Sequence, residues 1–144
     1  MTDEKKILLF LVDDDELFLK SLAIEFTDNT GFVVRTFQTG ELCIADISQN
    51  PDIVVLDYYL DGIDKRAIDG LETLDRIKAF NPQIPVIMLS SQDNIDVAVN
   101  CMKHKAYDYI VKSETAFLRL EKAISTIFHY QKIEKTLDWY MDKT

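Results

Sequence analysis

Apolar residues fall along this chain in five short blocks separated by stretches of helical spacing and polar turns. Ile7–Val12 is an unbroken apolar run, Phe32–Phe37 a mixed one, Ile53–Leu56 and Val86–Leu89 unbroken again, and Ala106–Val111 a fifth. Unbroken runs of four to six residues, rich in β-branched types, suit strands buried on both faces, as in a parallel sheet. Between the first two blocks, Glu16 to about Asp28 places Leu17, Phe18, Leu22, Ile24, Glu25 and Phe26 at mostly helical spacing, behind acidic residues that suit a helix N-terminus. Asn29-Thr30-Gly31 breaks that helix. Thr39 or its neighbour caps a short helix through Leu42, Ile44, Ala45 and Ile47, which Asn50-Pro51 stops because the residue before proline is pushed out of the α region.

The later intervals read the same way. Asp61 to Asp69 is a long polar loop, then Asp69 and Glu72 form a capping-box-like pair opening a helix with Leu71, Leu74 and Ile77 on one face. Asp93 and Asp96 open another helix, bearing Ile95, Val97, Val99 and Met102. Ser113 caps a last helix carried to about Asp142. Strand and helix alternate five times, which predicts one α/β domain, a doubly wound parallel sheet with right-handed crossovers and helices on both faces.

Composition narrows the picture. A chain of 144 residues with 47% hydrophobic content is long enough for one sizeable core. No apolar stretch approaches the length of a membrane span, and the six-residue run Ile7–Val12 is too short for a secretory signal. A cytoplasmic location without membrane contact is expected. Net charge is −9, and the one basic cluster is Lys103-His104-Lys105, which argues against a nucleic-acid partner. Cys43 and Cys101 belong to no ligand motif and read as buried thiols; His104 and His129 are assigned no chemistry.

Chemistry concentrates at the ends of the strands. The first ends at Asp13-Asp14, the third at Asp57, the fourth at Ser90 and the fifth at Lys112. In a doubly wound sheet those ends share one rim, where ligands bind. Three carboxylates brought together repel unless a cation intervenes, and hard oxygen donors suit Mg²⁺ with phosphate oxygens. An ammonium and a hydroxyl alongside complete a charge inventory suited to an aspartate that receives phosphate with metal assistance.

The segments Leu11-Val12-Asp13-Asp14-Asp15-Glu16, Asp52–Asp57, Pro85–Ser91 and Ala106–Lys112, in this order and spacing, resemble the receiver domain of two-component response regulators across residues 6 to about 128. The resemblance implies a flavodoxin-like (βα)5 fold of strand order 2-1-3-4-5. It implies that Asp57 is the phosphoacceptor, taking its phosphoryl group from a histidine kinase or phosphotransfer protein. Asp13, Asp14, Asp57 and the Tyr59 main-chain carbonyl would hold Mg²⁺ (or Mn²⁺), and Lys112 would pair with the phosphoryl oxygens. Ser90 would move toward the phosphate, with Tyr109 swinging inward alongside it. That motion would remodel the face formed by the fourth helix, fifth strand and fifth helix, which is an alternative to the C-terminal helix as a homodimer surface. Gln92 and Tyr59 flank the site where, in this family, residues influence the lifetime of the acyl phosphate.

Three features depart from the family pattern. The glycine that usually follows the phosphoacceptor by about eight residues is here Gly70, thirteen beyond Asp57, and Asp61 replaces a proline. The extra five or so residues are expected either to tune access to the site or to be a tolerated surface insertion. Lys112-Ser113 replaces the common Lys-Pro, so the peptide is either trans or a strained cis bond. Beyond residue 128, Tyr130, Ile133, Leu137 and Tyr140 recur at three-four spacing, so 1–128 reads as the receiver domain and 129–144 as a helical extension for dimerisation or docking.

No output domain is expected within the chain, which leaves contacts with another protein as its output. The expectation is a phosphoaspartate switch rather than an enzyme with its own substrate; the alternative is a binding module of receiver fold that works without phosphate. A hydrolase of small phosphate esters is disfavoured, because Tyr59 stands where such enzymes carry a second acid.

Overall fold

The computed structural model describes residues 6–60, 62 and 65–142. Asp61, which stands at the replaced proline, lies outside the described residues. The elements in chain order are β1 (Leu8–Val12), α1 (Glu16–Thr30), β2 (Val33–Phe37), α2 (Gly40–Ala45), a 3-10 turn (Ile47–Gln49), β3 (Ile53–Asp57), α3 (Gly70–Phe80), β4 (Val86–Ser90), α4 (Ile95–Lys103), β5 (Asp108–Val111) and α5 (Ala116–Asp142). All strand pairs are parallel and the order is β2-β1-β3-β4-β5, the doubly wound, flavodoxin-like arrangement expected.

Strand side chains alternate between two cores. Leu9, Leu11, Ile53, Val55, Ile87 and Leu89 pack under α1 and α5, through Leu19, Leu22, Phe26, Leu120, Ile124 and Ile127. Phe10, Val12, Val54, Leu56, Val86 and Met88 pack under α2, α3 and α4, through Cys43, Leu74, Ile77 and Cys101. Burial on both faces is why β1, β3 and β4 read as continuous apolar runs. β3 and β4 are buried at every position.

Capping explains most boundaries. Asp15 accepts the Phe18 N–H at the start of α1, Thr39 accepts the Leu42 N–H at α2, and Asp69 accepts the Glu72 N–H at α3. The capping box at α3 is one-sided, because the Glu72 carboxylate pairs instead with Arg76 at 3.2 Å. Gly31, at φ 72, closes α1 in the left-handed conformation.

Several expectations need correction. Leu17 and Ile24 are 81% and 60% exposed. They lie seven residues apart on the outer face of α1, while Leu19, missed in the periodicity, faces the core with Leu22 and Phe26. On α4, Ile95, Val99 and Met102 are exposed, and Cys101 is the side chain that is fully buried. Asn94, not Asp93, caps that helix, accepting from the N–H groups of Asp96 and Val97. Ser113 opens a turn before α5, its hydroxyl accepting the Thr115 N–H, and the helix itself begins at Ala116. β5 starts at Asp108 rather than Ala106, whose N–H turns back to the Cys101 carbonyl.

Among the described residues every peptide is trans, including Lys112–Ser113. No described helix is long and apolar enough to cross a membrane. The 27 residues of α5 bury Ala116, Leu120, Ile124 and Ile127; from Lys132 onward every described residue is exposed, and Ile133, Leu137 and Tyr140 join the exposed Tyr130 as outward apolar side chains.

Candidate functional site

Register brings the strand ends together. Leu9 aligns with Ile53 and Val12 with Leu56, so one step further Asp13 lies beside Asp57. Asp57 aligns with Leu89 and Ser90 with Val111, which sets Ser90 and Lys112 at the same rim. Backbone bonds pin these ends: Asp13 N–H to Phe37 O, Tyr58 N–H to Leu89 O, and Lys112 N–H to Ser90 O at 2.7 Å. Asp13, Asp57 and Ser90 are nearly or fully buried, and Asp14 is half-buried.

Ligand oxygens of Asp13, Asp14 and Asp57 all lie within 4.8 Å of one another. Against them stands the Lys112 ammonium, 2.7 Å from Asp13 Oδ2 and 3.5 Å from Asp57 Oδ1. Three carboxylates and one ammonium leave the cluster with an excess of negative charge in a poorly solvated place. Burial, then the neighbouring Asp13 charge, pushes the Asp57 carboxyl up to about 7, with Lys112 and the Tyr59 N–H pulling the other way. Asp14 is raised too, first by burial and then by Asp13; Lys112 and the backbone amides of Asp14 and Gly62 oppose the shift. Burial works against the Lys112 charge, but Asp13 and Asp57 outweigh it and hold its pKa above the ordinary lysine value.

Hard oxygen donors, packed closely with too few protein cations, fit a divalent ion such as Mg²⁺. The Tyr59 carbonyl and an Asp14 carboxylate oxygen both face Gly62: a Cβ there would meet them at 3.9 and 3.1 Å. The carbonyl is therefore on the same side as the acidic cluster.

The supporting residues converge on Gln92. Ser90 Oγ accepts the Gln92 N–H at 3.1 Å, Tyr109 Oη donates to the Gln92 carbonyl at 2.5 Å, and Tyr59 Oη donates to Gln92 Oε1 at 3.1 Å. One residue of the β4–α4 loop thus touches a strand hydroxyl, the β5 tyrosine and the tyrosine beyond β3. Periodicity marked Phe18 as a core residue, yet its ring centroid lies 4.7 Å from the Lys112 ammonium, a contact no motif announces. His104 and Asp75 join α4 to α3 at 2.8 Å, away from the strand ends.

The long loop returns to a fixed point. The Gly70 N–H bonds the Tyr58 carbonyl at 3.0 Å, and a Cβ on Gly70 would lie 2.3 Å from the Asp57 carbonyl oxygen. Only glycine permits that approach, so the displaced glycine serves the site's own strand end.

Fold and site together define a doubly wound α/β domain with an acidic rim at its strand ends, and sequence comparison gives it a family. The response regulator receiver domain family matches residues 9–125, and the chain belongs to it. Its similarity extends to the nitrogen assimilation regulatory protein NtrX of Azorhizobium caulinodans, 34% identical over 121 residues, covering 81% of this chain and 26% of that protein. The crystal structure of NtrX from Brucella abortus superposes with TM-score 0.76 at 31% identity, over 90% of this chain and 30% of that one. A CheX–CheY–BeF₃–Mg²⁺ complex from Borrelia burgdorferi gives TM-score 0.74 at 26% identity, over 85% of this chain and 89% of that one. The chain spans about a quarter of the length of the curated relatives it matches.

Proposed function

We propose that this chain is a phosphoaspartate switch of a two-component system, operating in the cytoplasm, with Asp57 accepting a phosphoryl group from a histidine kinase or phosphotransfer protein. The observation that carries the reading is the buried Asp57 carboxylate set among Asp13, Asp14, Lys112 and Ser90 at one strand rim. A carboxylate oxygen of Asp57 attacks phosphorus as the bond to the donor imidazole nitrogen breaks; that nitrogen keeps the electron pair and takes a proton. Lys112 exchanges Asp13 Oδ2 for a phosphoryl oxygen. Asp13, Asp14, Asp57 and the Tyr59 carbonyl would hold Mg²⁺ or Mn²⁺, whose chemistry is to neutralise charge on the phosphoryl oxygens.

The new group carries about −1.5 to −2 charge beside Ser90, in place of the single carboxylate charge that it consumes. Ser90 Oγ turns from the Gln92 N–H to donate to the phosphoryl group, and the β4–α4 loop follows. Tyr109, already bonded to the Gln92 carbonyl, transmits the shift to the α4-β5-α5 surface, where a protein partner reads it. The exposed stripe Tyr130, Ile133, Leu137 and Tyr140 on α5 supports a second contact, with another copy or a docking partner.

The test is intact mass after incubation with a small phosphodonor and Mg²⁺. One phosphoryl mass on the wild type and none on Asp57→Asn is the expected result. No adduct on either, with no binding of a stable phosphoryl mimic, would instead leave a binding module that works without phosphate.

A further inference from the structure

The Lys112 ammonium has three neighbours of two kinds. Asp13 Oδ2 lies at 2.7 Å and Asp57 Oδ1 at 3.5 Å, while the centroid of the Phe18 ring lies 4.7 Å away. An ammonium carries three N–H donors and no acceptor, so the two carboxylates do not exhaust it. The face of a phenylalanine ring is the negative end of its quadrupole, and it attracts a cation within about 6 Å. The lysine side chain is only 17% exposed, which places this contact in the regime where water competes weakly.

The position of the ring follows from the site itself. Asp13 Oδ1 accepts the Asp15 N–H at 2.9 Å, and Asp15 Oδ1 in turn accepts the Phe18 N–H at 3.2 Å, capping α1. Asp13 Oδ2 then meets Lys112, and Lys112 meets the Phe18 ring. Asp13, Asp15, Phe18 and Lys112 therefore form a closed circuit, with the helix cap holding the aromatic face against the cation. Phe18 is half-buried and packs on the core under α1, which fixes the ring from behind.

We infer that Phe18 is a positioning residue for phosphoryl acceptance: its aromatic face holds the Lys112 ammonium poised between Asp13 and Asp57. The inference rests on Asp57 being the acceptor. Lysine is a flexible four-carbon chain whose ordering costs substantial rotamer entropy. A third carboxylate in place of the ring would bind the ammonium and compete with the phosphoryl oxygens for it. A neutral ring holds the same cation without competing, so Lys112 can pass from Asp13 to the phosphoryl group while keeping one constant partner. An aliphatic side chain would fill the volume but supply no partner on that side.

The experiment is a graded one on the full chain. Phe18 is replaced by 4-fluoro-, 3,5-difluoro- and 3,4,5-trifluorophenylalanine, which weaken the quadrupole while nearly keeping the shape, and separately by leucine (Phe18→Leu). The phosphorylation rate constant with acetyl phosphate at saturating Mg²⁺ is followed by intact mass, alongside beryllofluoride affinity and thermal midpoint. The expected result is a stepwise fall with each fluorine, reaching about five- to thirty-fold for Phe18→Leu. The fluorinated proteins should melt close to the wild type. A rate constant that is flat across the fluorinated series overturns the inference, even where Phe18→Leu is slow through poorer packing. A wild type that takes no phosphoryl group overturns the acceptor reading and this inference with it, whereas a phosphorylated wild type with a flat series removes Phe18 alone.

Discussion

Replacing Asp57 by asparagine should stabilise the metal-free protein, and the gain should depend on pH in a defined way. The carboxyl rises from its ordinary 3.8 to about 7, chiefly through burial and then the Asp13 charge. A raised acid binds more protons folded than unfolded, so its contribution to stability is full below the unfolded value and lost as pH rises toward the folded one. Three pH units correspond to roughly 4 kcal/mol as a ceiling. Direct repulsion is of the same size: two unit charges no more than 4.8 Å apart at an effective dielectric near 20 cost at least about 3 kcal/mol. Asp57→Asn removes one charge while keeping shape and leaving Asp13 paired with Lys112. At pH 8 in chelator the variant should be more stable by about 1–4 kcal/mol, or about 3–12 °C in melting temperature. By pH 5 the advantage should fall below half, and near pH 4 it should vanish. Saturating Mg²⁺ should erase most of it at pH 8, because the ion binds the folded wild type in place of the lost repulsion. Urea unfolding from pH 4 to 8, with and without metal, is the assay. A variant less stable than the wild type at pH 8 in chelator, or a difference flat in pH, would show that the cluster is not electrostatically strained.

Other variants probe the rest of the molecule. Gly70→Ala sets a Cβ 2.3 Å from the Asp57 carbonyl oxygen; a loss of about 3 kcal/mol or more in urea unfolding is expected, with a slower phosphoryl transfer in whatever folds. Lys105 follows the His104 cap of α4 at φ 76, so Lys105→Gly should stabilise by about 0.5–1 kcal/mol, read from the urea midpoint. Tyr109→Phe removes the hydroxyl bonded to the Gln92 carbonyl; amide exchange in the β4–α4 loop should accelerate while Asp57 is phosphorylated within about threefold of the wild-type rate, a proton-exchange comparison by mass spectrometry. Ile133→Glu and Leu137→Glu lie beyond the last buried position of α5, so the domain should melt within about 2 °C of the wild type, while any self-association seen by light scattering should be lost.

Much of this was legible because the informative residues sit where two patterns meet. β3 and β4 are apolar at each position up to their polar ends because both faces are covered, and in a parallel sheet every strand delivers its end to one rim. That is why Asp13, Asp57, Ser90 and Lys112 could be placed together from order alone. The helices were less readable. Ile24 and Leu17 satisfy a helical period and still face outward, since periodicity names a face without saying which way it points. Asp93 and Asn94 are both good capping residue types, so composition alone does not single out Asn94, which accepts the Asp96 N–H. Phe18 over Lys112 joins residues 94 positions apart in sequence through a contact that leaves no spacing signature. The Gln92 convergence was hidden for the same reason, as two of its three bonds use main-chain atoms.

The fixed return of the chain at Gly70 has a practical meaning. The Gly70 N–H and the backbone contact with Asp57 and Tyr58 clamp the far end of the loop, whatever lies between. Going from eight residues to thirteen raises the closure cost by only about 0.4 kcal/mol. Loop length is thus uncoupled from the return of the chain to β3, and the span between Gly62, whose backbone amide serves Asp14, and Ile68 becomes a natural port: a peptide tag or reporter spliced there would sit close to the Asp57 carboxylate without asking α3 or β3 to move.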